Sequence, residues 1–94
     1  MTRALKETTS YINACIEDMN GSIEHAKKIT DYDKQWSRQW ALGRINDEYK
    51  QAFGALQLAY IYLEEIEEED RNALGDKLRE ATNAAEKRVW EEIK

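Results

Sequence analysis

The sequence predicts an all-α fold, a three-helix antiparallel arrangement built on a long helical hairpin. The 94-residue chain contains no proline and only four glycines, whereas strand-rich folds use both residue types in their turns. Apolar residues recur at alternating steps of three and four along most of the chain, which is typical of amphipathic helices. Because a chain of this length forms one small domain, we expect a single helical domain spanning residues 1–94.

The first helix is expected at about residues 3–29. Its apolar stripe comprises Leu5, Ile12, Ile16, Met19, Ile23 and Ala26. The stripe keeps its phase through Asn20 and Gly21, although this pair ordinarily marks a turn. We therefore expect the helix to continue through Gly21, at a cost of about 1 kcal/mol relative to alanine.

The second helix is expected at about residues 33–68. In the preceding connector, Thr30 or Asp31 can accept hydrogen bonds from the first backbone amides of this helix. Its apolar stripe comprises Leu42, Ile45, Tyr49, Ala52, Leu56, Ala59, Leu63 and Ile66. The alternating spacing of these residues predicts one long helix.

The segment Ala52–Leu63 predicts self-association. Ten of its twelve residues are apolar, and a helix that is apolar nearly all round is buried on several sides. Two other helices from a chain of 94 residues can hardly enclose such a segment. We therefore expect the chain to assemble into a homo-oligomer.

The third helix is expected at about residues 73–92, with Asn72 or Asp76 as its cap and Gly75 permitting a break. Its apolar face comprises Leu74, Leu78, Ala81, Ala85, Val89 and Ile93. The acidic run Glu64–Asp70 precedes it and is expected to be exposed to solvent.

The net charge of −5 is unevenly distributed along the chain. Residues 1–61 hold eight Lys/Arg and eight Asp/Glu, whereas residues 62–94 hold six and eleven. Residues 25–44 are locally basic, with five Lys/Arg against two Asp/Glu. Duplex nucleic acid is a poor partner for an acidic chain, because several phosphates must be neutralised. A small anion at the basic segment fits this distribution, as does a solvated face of mixed charge.

The sequence offers little support for catalysis, and we do not expect an enzyme. It contains no Gly-x-Ser-x-Gly, no phosphate-cradling glycine loop and no His-Glu-x-x-His spacing. Because the chain has one histidine, His25, and one cysteine, Cys15, we expect neither a metal site nor a cofactor. His25 is expected on a solvated face and Cys15 in the core. We also expect no signal peptide and no contact with a membrane, since no apolar run approaches the ~20 residues of a membrane span.

Binding is better supported than catalysis. Trp36, Trp40 and Arg44 recur every four residues and therefore lie along one side of a helix. Aromatic rings offer stacking surfaces, and guanidinium or ammonium groups pair with phosphate, so this combination suits a nucleotide. Alternatively, the tryptophans belong to the core and the neighbouring cations cover their edges. Tyr11, at the edge of the first stripe, can lie in an interface or stack on a base.

Tyr11 and Lys27 cannot hold one small ligand from the same helix. Sixteen positions separate them, which corresponds to about 24 Å along a straight helix. Two copies related by a twofold axis could bring Tyr11 of one copy toward Lys27 and Lys28 of the other. Such a site would present aromatic and cationic groups in duplicate, as the two bases and two phosphates of a cyclic dinucleotide require.

Two short stretches carry a resemblance to a known group. Residues 40–44 read Trp-Ala-Leu-Gly-Arg, and residues 51–56 read Gln-Ala-Phe-Gly-Ala-Leu. With Tyr11 early in its first helix, the chain resembles the phage-encoded cyclic-oligonucleotide sponges that counter CBASS, a bacterial anti-phage signalling system. Members of that family similarly carry a Trp, a following Arg and a Gln-x-x-Phe-x-Ala-Leu-like stretch on a long helical hairpin.

The resemblance implies a ring-like homo-oligomer, for example a hexamer built from dimers, in the cytoplasm of the bacterial host. It implies that the chain sequesters cyclic di- or oligonucleotides without cleaving them, so that the host effector is not activated. Tyr11 would stack on a base, and Lys27 or Lys28 would meet phosphate. Our candidate ligand-binding residues are therefore Tyr11, Lys27, Lys28, Trp36, Trp40 and Arg44.

Two other functions remain open. The segregation of the excess negative charge into residues 62–94 suits a small acidic helical inhibitor of another protein, either anti-CRISPR-like or a mimic of nucleic acid. A purely structural helical oligomer is the third possibility.

Overall fold

The computed structural model describes residues 2–94 and contains three long helices. They are α1 (Arg3–Lys28), α2 (Lys34–Gln57) and α3 (Glu68–Glu92), and a π-helical turn, Leu58–Tyr62, extends α2. The three helices pack against one another, and residues 2–94 form no strand. The all-α prediction with three helices is therefore confirmed.

The helices run up, down and up along a rod of 46 × 18 × 17 Å. Lys27, near the end of α1, contacts Glu92 at the end of α3, and Arg38, near the start of α2, contacts Ile93. The end of α1, the start of α2 and the end of α3 therefore lie at one end of the rod. The π-helical turn and the start of α3 lie at the other.

Helix α1 agrees with its predicted bounds. The side chain of Thr2 accepts a hydrogen bond of 3.1 Å from the amide of Leu5, which satisfies one of the free donors at the helix start. The helix continues through Gly21 and ends at Lys28. His25, Lys27 and Lys28 occupy its last turn, where positive charge interacts favourably with the helix dipole.

The predicted cap of α2 is wrong. Neither Thr30 nor Asp31 occupies the cap position, which belongs to Asp33. The Asp33 carboxylate accepts a hydrogen bond of 2.7 Å from the amide of Trp36. The connector comprises residues 29–33, and α2 begins one residue later than expected, because Asp33 rather than an earlier residue provides the extended backbone that a cap requires.

The predicted boundary between the second and third helices is also wrong. Helix α2 ends at Gln57 rather than near residue 68, and α3 begins at Glu68 rather than near residue 73. The chain leaves the π-helical turn through Leu63, and Glu64 has a φ of 52°, which no right-handed helix accommodates.

Electrostatics explains this boundary. Carboxylates are unfavourable at a helix C-terminus and favourable at an N-terminus, because of the helix dipole. The acidic run accordingly begins only after the π-helical turn has ended at Tyr62, and it supplies Glu68, Glu69 and Asp70 to the first turn of α3. Asn72, Asp76 and Gly75, which we expected at a cap and a break, lie inside α3 instead.

The core follows most of the predicted stripes, although Leu42, Tyr49 and Ala81, among others, are only partly buried. Its largest fully buried apolar side chains are Ile12, Met19, Ile23, Ile45, Leu56, Leu78, Val89 and Ile93. Burying one such side chain contributes about 1.5–3 kcal/mol. Leu63 is a correction, since it is 52 % exposed although it belongs to the predicted stripe of the second helix. It is exposed because the chain has already left the helix at this residue.

No helix within residues 2–94 combines the length and the apolar character that crossing a bilayer requires.

Candidate functional site

The groove between α1 and α2 contains several of the predicted residues. Its middle is concave, with a volume of about 440 Å³, and is lined by Asp18, Gly21, Ser22, His25, Trp40 and Arg44. Tyr11 lies in a separate concave region, with residues of the π-helical turn. The groove therefore brings Trp40 and Arg44 together but leaves Tyr11 apart from them.

Arg44 already forms an ion pair within the chain. Its Nη2 donates a hydrogen bond of 3.0 Å to Oε1 of Glu48, a side chain that is only 5 % exposed. A phosphate that recruited Arg44 would leave the Glu48 carboxylate buried without its counterion, which is costly. Glu48 was missed by the sequence reasoning, although its position four residues after Arg44 is the signal of a helical ion pair.

Cys15 faces the same carboxylate. Burial raises the pKa of the Cys15 thiol, and the nearby charge of Glu48 raises it further. The thiol is 4 % exposed and belongs to the core, as predicted. Because a protonated, buried thiol is a poor nucleophile, Cys15 is a packing residue.

The two tryptophans of α2 differ in environment. Trp40 is half-buried against the core, and its ring lies 5.3 Å from that of His25 between centroids. Trp36 is 40 % exposed and stacks on Tyr32, with centroids 4.3 Å apart and an interplanar angle of 22°. The interpretation of the tryptophans as core residues therefore holds for Trp40 but not for Trp36.

The structure distinguishes the two candidate lysines. The Nζ of Lys27 lies 3.0 Å from Oε1 of Glu92 and 3.5 Å from Oε2 of Glu24, on the side of α1 that faces α3. Arg88 binds the same two carboxylates. Lys28, in contrast, is exposed and forms no ion pair with any other residue of 2–94. Of these two lysines, Lys28 is therefore the one whose charge is not paired with a carboxylate of residues 2–94.

The shared carboxylate of Glu92 is strongly stabilised in its charged form. Hydrogen bonds from Arg88 and Lys27 lower the pKa of Glu92 to about 2. This network fixes the end of α3 against the end of α1.

Aromatic and cationic side chains meet where the α1–α2 connector and the end of α3 come together. We call this surface the hairpin end, and it comprises Lys28, Tyr32, Lys34, Trp36, Arg38 and Trp90. The Nε of Arg38 donates a hydrogen bond of 2.8 Å to the carbonyl of Ile93, and its guanidinium lies 5.6 Å from the centre of the Trp90 ring. Within residues 2–94, neither Lys34 nor Arg38 pairs with a carboxylate.

Tyr32 and Trp90 were missed by the sequence reasoning. Tyr32 lies in the connector, directly before the Asp33 cap, and its ring reaches Trp36 from there. Trp90 joins this surface because a bundle of three antiparallel helices places the end of the third helix beside the first connector. Topology alone is the signal that could have found Trp90.

The six predicted residues do not form one site in a single chain. Helix α1 is continuous between Tyr11 and Lys27, so the expected separation of about 24 Å applies. Trp36 and Lys28 belong to the hairpin end, Trp40 and Arg44 to the middle of the groove, and Tyr11 to the opposite half of the molecule.

The groove between α2 and α3 is a further concave region that the sequence did not indicate. The rings of Tyr49 and Phe53 are nearly parallel there, with centroids 5.9 Å apart. Its cations are held internally, since Arg79 pairs with Asp76 and Arg71 donates to the side-chain oxygen of Gln57.

The hairpin end has groups that can bind a ligand non-covalently. Its aromatic faces can stack on planar groups, and its cations can pair with anions. Residues 2–94 contain no cluster of three or more His, Cys, Asp or Glu side chains placed to hold a metal ion.

Comparison with known proteins gave no match, whether the chain was compared with family models, with curated proteins or with solved structures.

Proposed function

We propose that this protein is a non-catalytic sponge, which binds and sequesters a cyclic di- or oligonucleotide and thereby blocks CBASS signalling. One observation carries the proposal. The exposed Tyr32–Trp36 stack belongs to the same end of the rod as Lys28, Lys34 and Arg38, which have no carboxylate partner among residues 2–94. Exposed rings next to uncompensated cations suit a ligand that combines bases with phosphates.

The proposed ligand contacts differ from one another in kind. Trp36 and Tyr32 stack on a base, and Lys28 pairs with phosphate because its ammonium group is free. Lys27 is the weaker candidate for this role, because Glu92 and Glu24 already pair with its ammonium group. Trp40 and Arg44 support the groove behind the ligand rather than contact it, since Arg44 is held by Glu48.

Tyr11 joins the site only if a second copy supplies it. It is 44 % exposed, which leaves its ring free to stack or to enter an interface. A homo-oligomer would place Tyr11 of one copy near Lys28 of another, where it would enclose the bound ligand from a second side.

Isothermal titration calorimetry against a panel of cyclic di- and trinucleotides tests this proposal. Lys28→Ala should weaken binding by about 1 kcal/mol, as expected for an exposed charge pair. Lys27→Ala is the matched control, because it removes a neighbouring cation that is already paired, and should leave the affinity unchanged. Trp36→Ala and Tyr11→Ala should each weaken binding by about 1–3 kcal/mol, the range of base–aromatic stacking.

Absence of heat with every cyclic nucleotide would rule out the sponge. Binding that is lost with Lys27→Ala but kept with Lys28→Ala would move the phosphate contact to the α1–α3 side. An unchanged affinity of Trp36→Ala would remove the hairpin end from the site.

A second candidate function, an acidic inhibitor of another protein, is favoured by a different observation. The six carboxylates of residues 64–70 form no ion pair within residues 2–94 and lie beside exposed apolar side chains such as Tyr62 and Leu63. Neutralising Glu64–Asp70 should abolish binding to such a partner and leave nucleotide affinity intact.

A further inference from the structure

We infer that copies of this chain assemble head to tail, with the acidic end of one copy bound to the hairpin end of the next. The acidic end comprises Tyr11, Leu58, Ile61, Tyr62 and Leu63, together with the carboxylates of residues 64–70. The inference concerns the assembly of the protein and does not depend on nucleotide binding. Both proposals use Lys28, so a phosphate that binds there would displace the carboxylates of the neighbouring copy.

The exposed apolar residues are the first argument. Large apolar side chains in the described part of the chain are exposed at the two ends of the rod and not along its middle. Five belong to the acidic end, namely Tyr11, Leu58, Ile61, Tyr62 and Leu63, and three to the hairpin end, namely Tyr32, Trp36 and Trp90. Tyr62 is 76 % exposed and Trp90 60 %. Contiguous exposed apolar groups of this kind mark interaction surfaces.

The charges of the two ends are the second argument. Residues 58–70 contain six Asp/Glu and no Lys/Arg. Residues 25–38 contain four Lys/Arg and two Asp/Glu, and the adjoining residues 86–94 contain three of each. The acidic end is therefore strongly negative, and the hairpin end is weakly positive.

These charges determine which end binds which. If two acidic ends met across a twofold axis, each would bring six carboxylates against the other's six, and two hairpin ends would bring Lys28, Lys34 and Arg38 together. Like charges that face each other cost several kcal/mol. Pairing an acidic end with a hairpin end instead joins opposite charges and covers apolar groups on both sides.

The dimensions of the rod specify how the ends meet. An end face of 18 × 17 Å offers about 300 Å², well below the about 800 Å² per partner of a stable interface. The two rods must therefore overlap along their sides. Tyr11 suits such a staggered contact, because it lies about 12 Å into α1 from its first residue. Because the two contacting surfaces differ, each bound copy leaves one end free for the next copy. The resulting chain of copies closes into a ring if the rotation between successive copies permits it.

A complementation experiment tests this inference by sedimentation velocity. The acidic-end variant carries Tyr62→Ser and Leu63→Ser, and the hairpin-end variant carries Lys28→Glu and Trp90→Ser. All four side chains are exposed, so both variants should fold, which circular dichroism checks. Each variant alone should be monomeric where the unaltered protein associates. Mixed in equal amounts they should form a heterodimer, because one intact acidic end then meets one intact hairpin end.

Two further measurements complete the test. Association of the unaltered protein should weaken at least tenfold between about 0.01 M and about 1 M salt, where the screening length falls from ~30 to ~3 Å. Lys77→Glu is the matched control, because Lys77 is exposed on α3 and forms no ion pair within residues 2–94. It reverses a charge away from both ends and should associate normally.

Three results would overturn the inference. The first is an unaltered protein that stays monomeric at every concentration, which would leave the acidic end to a foreign basic partner. The second is either variant associating as strongly as the unaltered protein. The third is a mixture of the two variants that forms no heterodimer, because an intact acidic end and an intact hairpin end would then not bind each other.

Discussion

The two ends of this rod are held together in different ways. At the hairpin end, side chains connect all three helices: Asp33 caps α2, Arg38 binds the carbonyl of Ile93, and Arg88 and Lys27 share the carboxylate of Glu92. At the acidic end, one long side-chain contact, from Arg71 to Gln57, joins α3 to α2, and the turn itself is made by the backbone. Leu63 and Glu65 donate to carbonyls of the π-helical turn, and Glu67 precedes α3 without a side-chain cap.

This difference shows how one small chain divides its side chains between folding and contact. Polar groups at the hairpin end stabilise the fold, and only a few cations there remain free. At the acidic end, the six carboxylates form no ion pair within residues 2–94, and Glu68, Glu69 and Asp70 act only through the dipole of α3. The exposed apolar side chains beside them lie outside the core of residues 2–94, so these side chains can change without loss of the fold.

The strongest test of this difference between the two ends removes one apolar side chain from each of them. Ile23 is fully buried near the hairpin end. Changing it to alanine should lower the free energy of unfolding by about 2–5 kcal/mol, because a cavity remains. Leu63→Ala removes an exposed side chain and should change the free energy of unfolding by less than about 0.5 kcal/mol. Urea unfolding followed by circular dichroism measures both, and equal losses would contradict the proposed division.

The two helix starts offer a smaller contrast. Asp33→Ala removes the carboxylate that binds the Trp36 amide and should destabilise the protein by about 1 kcal/mol. Glu67→Ala changes the corresponding position of α3, where the side chain makes no cap bond, and should have almost no effect. A comparable loss of stability in both variants would show that Glu67 contributes in a way the structure does not contain.

A third test concerns how the stability of the fold depends on pH, where we expect a smaller effect. The pKa of Glu92 is lowered from 4.5 to about 2 by hydrogen bonds from Arg88 and Lys27. A carboxylate with a depressed pKa stabilises the fold above its unfolded value, and this contribution disappears as the pH falls toward 2. Glu92→Gln should therefore be less stable than the unaltered protein at neutral pH, and the difference should vanish near pH 2.

Melting temperatures measured from pH 7 to pH 2 test this expectation. Glu86→Gln is the matched control, because Glu86 is an exposed carboxylate of α3 that forms no ion pair within residues 2–94. A stability difference for Glu92→Gln that persists undiminished at pH 2 would show that the ion pairs are not its cause.

The apolar periodicity correctly predicted the features of the fold that depend only on residues close in the sequence. The stripe of α1 and the bounds of that helix were predicted because burial there follows a local spacing of three and four. The same spacing continues through Leu63 and Ile66, and Ile66 is indeed buried. It did not reveal the end of α2, because the chain departs from the helix through backbone conformation and carboxylate charge rather than through a change in apolar pattern.

The candidate site was predictable to a smaller extent. Sequence alone could not choose between Lys27 and Lys28, because the choice depends on Glu92, which is 65 positions away from Lys27. It likewise could not reveal that Arg44 is neutralised, since that depends on how deeply Glu48 is buried. Charge state and exposure arise from tertiary packing, whereas residue type and spacing do not.

The position of the tryptophans has a practical consequence. All three of them, Trp36, Trp40 and Trp90, lie at or near the hairpin end. Intrinsic fluorescence therefore reports on one half of the molecule, while a signal from the whole backbone averages over both. The chain thus carries a natural optical probe, and a denaturation curve recorded in the two signals reveals directly whether the ends melt together.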